Sequence, residues 1–131
     1  MDLYVYCQEE LDQAMETGEP ENKILCCAGT FWAPPERIIE GVWGSTIVAG
    51  SGARVHATIE CVVWALKNSM VWAHQGSVVI ADKGSVVEAS QGSVVIAGKG
   101  SVVEASSGST VAKKKGSLVV QFPGAEVILI P

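Results

Sequence analysis

The 131-residue chain has no long hydrophobic run, although 48% of its residues are apolar. No apolar stretch approaches the ~20 residues that a helix needs to cross a bilayer. The opening residues, MDLYVYCQEELD, have no basic region and are acidic by Glu9, so we expect no secretory signal. A chain of this length fits one domain with a modest core. We therefore expect a soluble, cytoplasmic protein with no membrane partner.

The four cysteines lack the spacing of a metal or redox site. The sequence has no C-x-x-C pair, and the adjacent Cys26 and Cys27 would point to opposite faces of a strand. A phosphate-binding loop, a nucleophile elbow and a zinc signature are also missing. We expect reduced, mostly buried thiols, as in a reducing compartment. No metal, cofactor or catalytic residue is predicted, and the protein is not expected to be an enzyme.

The net charge of −5 is unevenly distributed. Residues 1–43 have nine acidic and two basic side chains, whereas residues 44–131 have five acidic and seven basic ones. This division separates an acidic cap segment, 1–43, from a nearly neutral repeat region, 44–131. A nucleic-acid partner is not indicated by this distribution.

The repeat region consists of eight-residue units. Residues 76–107 read GSVVIADK, GSVVEASQ, GSVVIAGK and GSVVEASS, and the same octads can be written from Gly44 to Pro131 without an insertion. Two degenerate octads, AGTFWAPP from Ala28 and ERIIEGVW from Glu36, precede them. Self-similarity at a fixed period predicts a solenoid.

The octad columns predict which side chains are buried. Position four is always Ile or Val, position two is Ser, Ala or Cys, and positions three and five vary freely. Because a strand alternates its faces, positions two, four and six point inward and positions three and five point outward. Alternate octads share their residues at positions five and eight, which predicts two octads per coil. We therefore expect an all-β fold, a flattened two-sided β-solenoid with about 16 residues per coil.

The cap segment has a different period. Leu3 to Cys7 reads as a strand, Gln8 to Thr17 as a helix that Gly18 and Pro20 close, and Lys23 to Ala28 as a second strand. Glu9-Glu10-Leu11 in the helix and the later Gly29-Thr30 resemble the N-terminal cap of pectate-lyase-like β-helices. This resemblance implies a β-helix and carries no catalytic residue with it.

The paired octads are similar to the 16-residue repeats of bacterial ice-nucleation proteins and, distantly, to flat insect antifreeze solenoids. That resemblance implies an outward Thr-x-Thr array on an ice-binding face. Here the matching outward pairs are Val78 with Ile80 and Val94 with Ile96. The resemblance therefore covers the coil, and ice binding is not expected.

The outward positions of alternate octads define two surfaces, which we call the first face and the second face. The first face contains an apolar block that we predict to be a homodimer interface: Val62, Trp64, Val78, Ile80, Val94 and Ile96. The alternative is that the segment with Phe31 and Trp32 folds back over it. A possible second interface on the second face consists of Arg54, His56, Met70 and Trp72. We expect His56 and His74 to be solvated.

Three functions remain open. The leading hypothesis is a non-enzymatic structural or interaction protein that dimerises and binds an unidentified protein partner through flat faces. The alternative is a small inhibitor, like phage-encoded anti-defence proteins such as anti-CRISPRs or DNA mimics. It would act through an acidic head that comprises Glu9, Glu10, Asp12 and Glu16. A pectate-lyase-like carbohydrate-active enzyme is the third, for which the outward positions supply scattered carboxylates such as Glu88 and Glu104.

Two further features have alternative explanations. A lysine column at position eight, Lys67, Lys83, Lys99 and Lys115, suits a solvated edge or a polyanion site. The apolar end of the chain, Val127 to Ile130, suits either a cap over the last coil or an assembly contact.

Overall fold

The structure, a computed structural model, describes residues 2–17, 23–33, 35 and 38–130. In these residues it contains one helix, α1 (Gln8–Thr17), and fifteen strands. The strands are β1 (Asp2–Val5), β2 (Lys23–Cys27), β3 (Thr30–Ala33), β4 (Ile38–Val42), β5 (Thr46–Ala49), β6 (Arg54–Ala57), β7 (Val62–Ala65), β8 (Met70–Ala73), β9 (Val78–Ala81), β10 (Val86–Ala89), β11 (Val94–Ala97), β12 (Val102–Ala105), β13 (Thr110–Lys114), β14 (Leu118–Gln121) and β15 (Glu126–Ile130).

The strands form two parallel sheets. One sheet has the order β1-β2-β4-β6-β8-β10-β12-β14 and the other β15-β13-β11-β9-β7-β5-β3. From β3 onward, consecutive strands alternate between the sheets, and within the octads each residue pairs with the residue 16 positions along, as Val78 does with Val62 and Val94. The predicted all-β, two-sided solenoid with two octads per coil is therefore confirmed.

The interior follows the predicted columns. Position four is fully buried from Ile47 to Val111, and the Ala residues at position six and the small residues at position two are buried beside it. One hydrophobic core runs from Val5 and Leu11 to Ala125. At the C-terminal coil Val127 is only partly buried and Leu129 is 77% exposed. In the described residues β15 thus continues its sheet and does not fold over the last coil.

The corners are closed by a repeated turn. Glycine at position one has a φ of +81° to +92°, which a side chain disfavours. From Ser69 to Ser117, the serine at position two donates its hydroxyl to the carbonyl three residues earlier, as Ser77 does to His74 at 2.6 Å. Glu60 and Asn68 occupy the glycine position with φ values of 60° and 64°. The repeated Gly-Ser pair is therefore structural, and the serine points inward as predicted.

Helix α1 covers the N-terminal end of the core. Its range is the predicted one, and Leu11 is completely buried against the coil. Glu10 Oε1 accepts a hydrogen bond from the Tyr6 backbone N–H at 2.7 Å, which caps the first turn. The predicted closing residues, Gly18 and Pro20, lie outside the described part of the chain.

Candidate interaction surfaces

The first face is the outer surface of the seven-stranded sheet. Its position-three column contains Val62, Val78 and Val94 as consecutive partners, and its position-five column contains Trp64, Ile80 and Ile96. Trp64 is 45% exposed, Val94 is 40% exposed, and the other four are partly buried. All six residues predicted for the interface therefore lie together as one two-column block.

Trp32 belongs to this face, which the sequence analysis did not recognise. Strand β3 pairs with β5, so that Trp32 lies beside Val48 and is 54% exposed. Phe31 points the other way and is buried in the core. The alternative in which this segment folds over the face is wrong, since β3 extends the same sheet. The signal was available, because Trp32 occupies position five of the degenerate octad from Ala28.

The four residues of the possible second interface also lie together. Strands β6 and β8 pair so that Arg54 lies opposite Met70 and His56 opposite Trp72. The rings of His56 and Trp72 stack with centroids 4.5 Å apart and planes 15° from parallel. The second face thus has a compact patch with one cation, one thioether and two stacked rings.

His56 and His74 form a pair, and the expectation that both are simply solvated is wrong. His56 Nδ1 lies 3.1 Å from His74 Nε2, the ring planes differ by 6°, and both side chains are partly buried. The ring centroids are 5.4 Å apart, which exceeds the distance between the two nitrogens by about the width of one ring. The two rings therefore lie end to end in one plane. One ring donates the proton between the nitrogens and the other accepts it.

The sequence holds the signal for this pair. The two histidines are 18 residues apart, which is one coil plus two residues. His56 lies at position five, in β6, and His74 at position seven of the next coil, directly after β8.

Burial lowers the pKa of His56, and the neighbouring His74 lowers it further. Glu40, the register partner of His56 on β4, acts in the opposite direction. Glu40 Oε1 also forms an ion pair with Lys23 Nζ, and the two atoms are 3.2 Å apart. The hydrogen bond between them raises the pKa of Lys23, and the negative charge of Glu40 raises it further. The pair of histidines therefore lies in a line of polar groups across the second face.

The acidic head lies on α1. Glu9, Glu10, Asp12 and Glu16 are all exposed there. Asp12 accepts a hydrogen bond from Gln8 Nε2 at 2.9 Å, and Glu10 caps the helix as described above. These two carboxylates thus stabilise the helix, while all four give the N-terminal end its negative charge.

Three of the four cysteines are buried and one, Cys7, is exposed. Burial raises the pKa of Cys26 to about 12 and also raises the pKa values of Cys27 and Cys61. These buried thiols are therefore poor nucleophiles, because the thiolate is the reactive form. Across residues 2–17, 23–33, 35 and 38–130, no three His, Cys, Asp or Glu side chains are arranged to hold a metal ion.

Within the same described ranges, no helix has the length and apolar character to span a membrane. Comparison of the chain with protein-family models, with curated proteins and with solved structures finds no match.

Proposed function

We propose that the protein is a non-enzymatic interaction module whose first face pairs with the first face of a second copy. The observation that supports this is an unbroken apolar column on the outer surface of the seven-stranded sheet. Its position-five column reads Trp32, Val48, Trp64, Ile80, Ile96, Ala112 and Ile128. A contiguous exposed apolar patch is a candidate for a protein interface.

Among the outward residues of its strands, charge on this face is confined to the C-terminal end, to Lys114 of β13 and Glu126 of β15. The position-three column contains threonine and valine until Glu126 at its last strand. A flat surface whose centre is uncharged can meet its own copy across a two-fold axis, because the central residues then face each other without repulsion. The second face, with Arg54, Glu88 and Glu104, lacks this property.

The size of the face sets the expected affinity. Seven strands of about four residues cover roughly 29 by 13 Å, from ~4.8 Å between strands and ~3.3 Å per residue. The area of this plane is smaller than the ~800 Å² of surface that each partner buries in a standard interface. We therefore expect a dimer that forms at micromolar concentration, with the indoles of Trp32 and Trp64 as its anchors.

Matched lysine variants test this proposal. Val78→Lys with Val94→Lys alters the first face, and Val86→Lys with Val102→Lys makes the same change at the same octad position of the second face. Val94 and Val86 have similar exposure, 40% and 37%. At tens of micromolar, sedimentation velocity should show a monomer for the Val78→Lys, Val94→Lys variant, because burying unpaired ammonium groups in the interface is costly. The Val86→Lys, Val102→Lys variant should remain a dimer.

The circular dichroism of both variants should match that of the wild type, since outward positions leave the core unchanged. Equal masses for the two folded variants would contradict the proposal.

A further inference from the structure

The two corners of the coil have different side chains at position eight. One corner leads from the seven-stranded sheet to the eight-stranded sheet, and there four consecutive coils have a lysine, the lysine column of Lys67, Lys83, Lys99 and Lys115. On the opposite corner, the corresponding residues are Gln75, Gln91 and Ser107. All seven side chains are exposed. One corner is therefore a row of cations, whereas the other is neutral.

The stems of the lysines have a common position on the corner. Each packs over the corner glycine of the next coil, with its Cγ 2.8–3.2 Å from the point that a Cβ on that glycine would occupy, as Lys67 does on Gly84, Lys83 on Gly100 and Lys99 on Gly116. Because glycine has no side chain, the lysine methylenes fill this space and the charged ends remain in water. Successive lysines are thus one coil, or ~4.8 Å, apart along the corner.

The lysine column does not protect an open sheet edge. The corner backbone is hydrogen-bonded from coil to coil: the Asn68 N–H donates to the Gly84 carbonyl at 3.1 Å, and the Gly84 N–H donates to the Gly100 carbonyl at 2.9 Å. Edge lysines discourage strand pairing where a strand has unpaired backbone groups. These corner groups are already paired, so a role against strand pairing does not explain the lysines.

The positive charge of the column has few carboxylates near it. Between Gly50 and Gly116, positions seven, eight and one of this corner contain five lysines, since Lys114 lies beside the column, and one carboxylate, Asp82. The ion pair found in the described ranges lies elsewhere, between Lys23 and Glu40 on the second face. Ammonium groups ~4.8 Å apart repel each other, because this spacing is shorter than the ~8 Å screening length of physiological salt. A bound polyanion would relieve this repulsion.

The shape of the column determines which polyanion fits. The column is one lysine wide and about 14 Å long, so a matching partner has anions along one line, about 5 Å apart or closer. An extended acidic peptide has side chains on one side only every ~6.6 Å. A single-stranded nucleic acid binds by stacking its bases on aromatic rings, and this corner has no aromatic residue at positions seven, eight and one from Gly50 to Gly116. A flexible chain of phosphates without bases fits both features.

We propose that the lysine column binds a linear polyphosphate chain along the corner. The phosphates replace the counterions of the lysines, and the release of those counterions favours binding. This inference does not depend on the first face, which consists of the outward positions three and five of the seven-stranded sheet.

Fluorescence anisotropy of a labelled long-chain polyphosphate tests the proposal. The logarithm of the association constant should fall against the logarithm of the salt concentration with a slope of about −3, from ~0.7 for each of four lysines. Lys83→Gln with Lys99→Gln should lower the affinity at least tenfold and reduce the slope by about half. The coil should be retained, as circular dichroism would check, because Gln75 packs in the same way over Gly92 on the opposite corner.

Lys23→Gln with Arg54→Gln is the matched control. It removes two cations from the second face, so that its net charge equals that of the Lys83→Gln, Lys99→Gln variant. It should bind polyphosphate as the wild type does. Equal losses of affinity in the two variants would show that net charge alone matters and would overturn the proposal, as would a wild type that does not bind at low salt.

Two competitors identify the polymer. Orthophosphate at the same total phosphate concentration should displace the probe at least tenfold less effectively, because separate anions lack the multivalency of a chain. An oligothymidine of the same total charge should also compete less well than unlabelled polyphosphate. Equal competition by orthophosphate would reduce the effect to ordinary screening. An oligothymidine that competes as well as polyphosphate, or better, would assign the column to nucleic acid, and either result would overturn the proposal.

Discussion

The two sheets share one interior but have different outer surfaces. Inside, both present the same sequence of small residue, valine and alanine, with Val79 and Val95 in one sheet and Val87 and Val103 in the other, all completely buried. Outside, the first face is a flat apolar surface, whereas the second face carries carboxylates, an arginine and the histidine pair. The backbone and the register are the same in both.

This difference shows which positions determine the coil and which are free to vary. The inward columns and the corner glycines are constrained by packing density and by backbone conformation. Neither constraint applies to the outward columns, so one coil can support two unlike surfaces. The self-association that we propose therefore depends on the outward positions three and five of the first face.

The largest expected effect tests the inward column against the outward one. Val87→Asp puts a carboxylate at a position with no exposure and should lower the unfolding free energy by about 3 kcal/mol or more. The neighbouring Val86→Asp, at a 37% exposed outward position, should cost less than about 1 kcal/mol. Urea denaturation measures both, and equal losses would show that the inward and outward columns are wrongly assigned.

A smaller effect is expected at the corners that join the two sheets. Glu60 has a φ of 60° where most octads have glycine, so Glu60→Gly should raise the unfolding free energy by about 0.5–1 kcal/mol. Asn68→Gly should raise it less, because asparagine tolerates this conformation. Thermal melts compare the two variants, and a loss of stability in Glu60→Gly would refute the backbone argument.

The smallest effect concerns the histidine pair, which only the second face has. Because the pKa of folded His56 lies below its usual value, the unfolded chain binds more protons as the pH falls through ~6.5. The unfolding free energy should therefore decrease from about pH 7.5 to 5.5 and be independent of His56 at higher pH.

His56→Gln should flatten this pH dependence, and chemical denaturation at several pH values measures it. A slope that is unchanged in His56→Gln, or stability that increases as the pH falls, would contradict the assignment. First-face association should not change over the same range, because that face carries no histidine.

Much of the fold could be predicted from the sequence because eleven octads repeat the same pattern of buried, outward and turn positions. Position four defined the core, position one the corners, and the matching of alternate octads the coil length. The helix at Gln8–Thr17 could also be predicted, since its apolar spacing differs from that of the strands.

The remaining features depend on contacts between coils that differ from the repeat. The hydrogen bond between His56 and His74 joins unlike octad positions, so the columns did not reveal it. Trp32 was left out of the first face because its octad begins Ala-Gly, where most octads begin Gly-Ser. The two hydrogen bonds between the Gln8 side chain and the Trp32 backbone depend on where α1 crosses the end of the coil, which no local pattern specifies.

The mass of the unaltered protein in solution tests the central claim most directly. Sedimentation equilibrium at tens of micromolar, an order of magnitude set by the small size of the first face, should give twice the 13.7 kDa of one chain. The Val78→Lys, Val94→Lys variant should give one chain mass under the same conditions. A wild type that is monomeric throughout this range would contradict the account of the first face as a self-association surface.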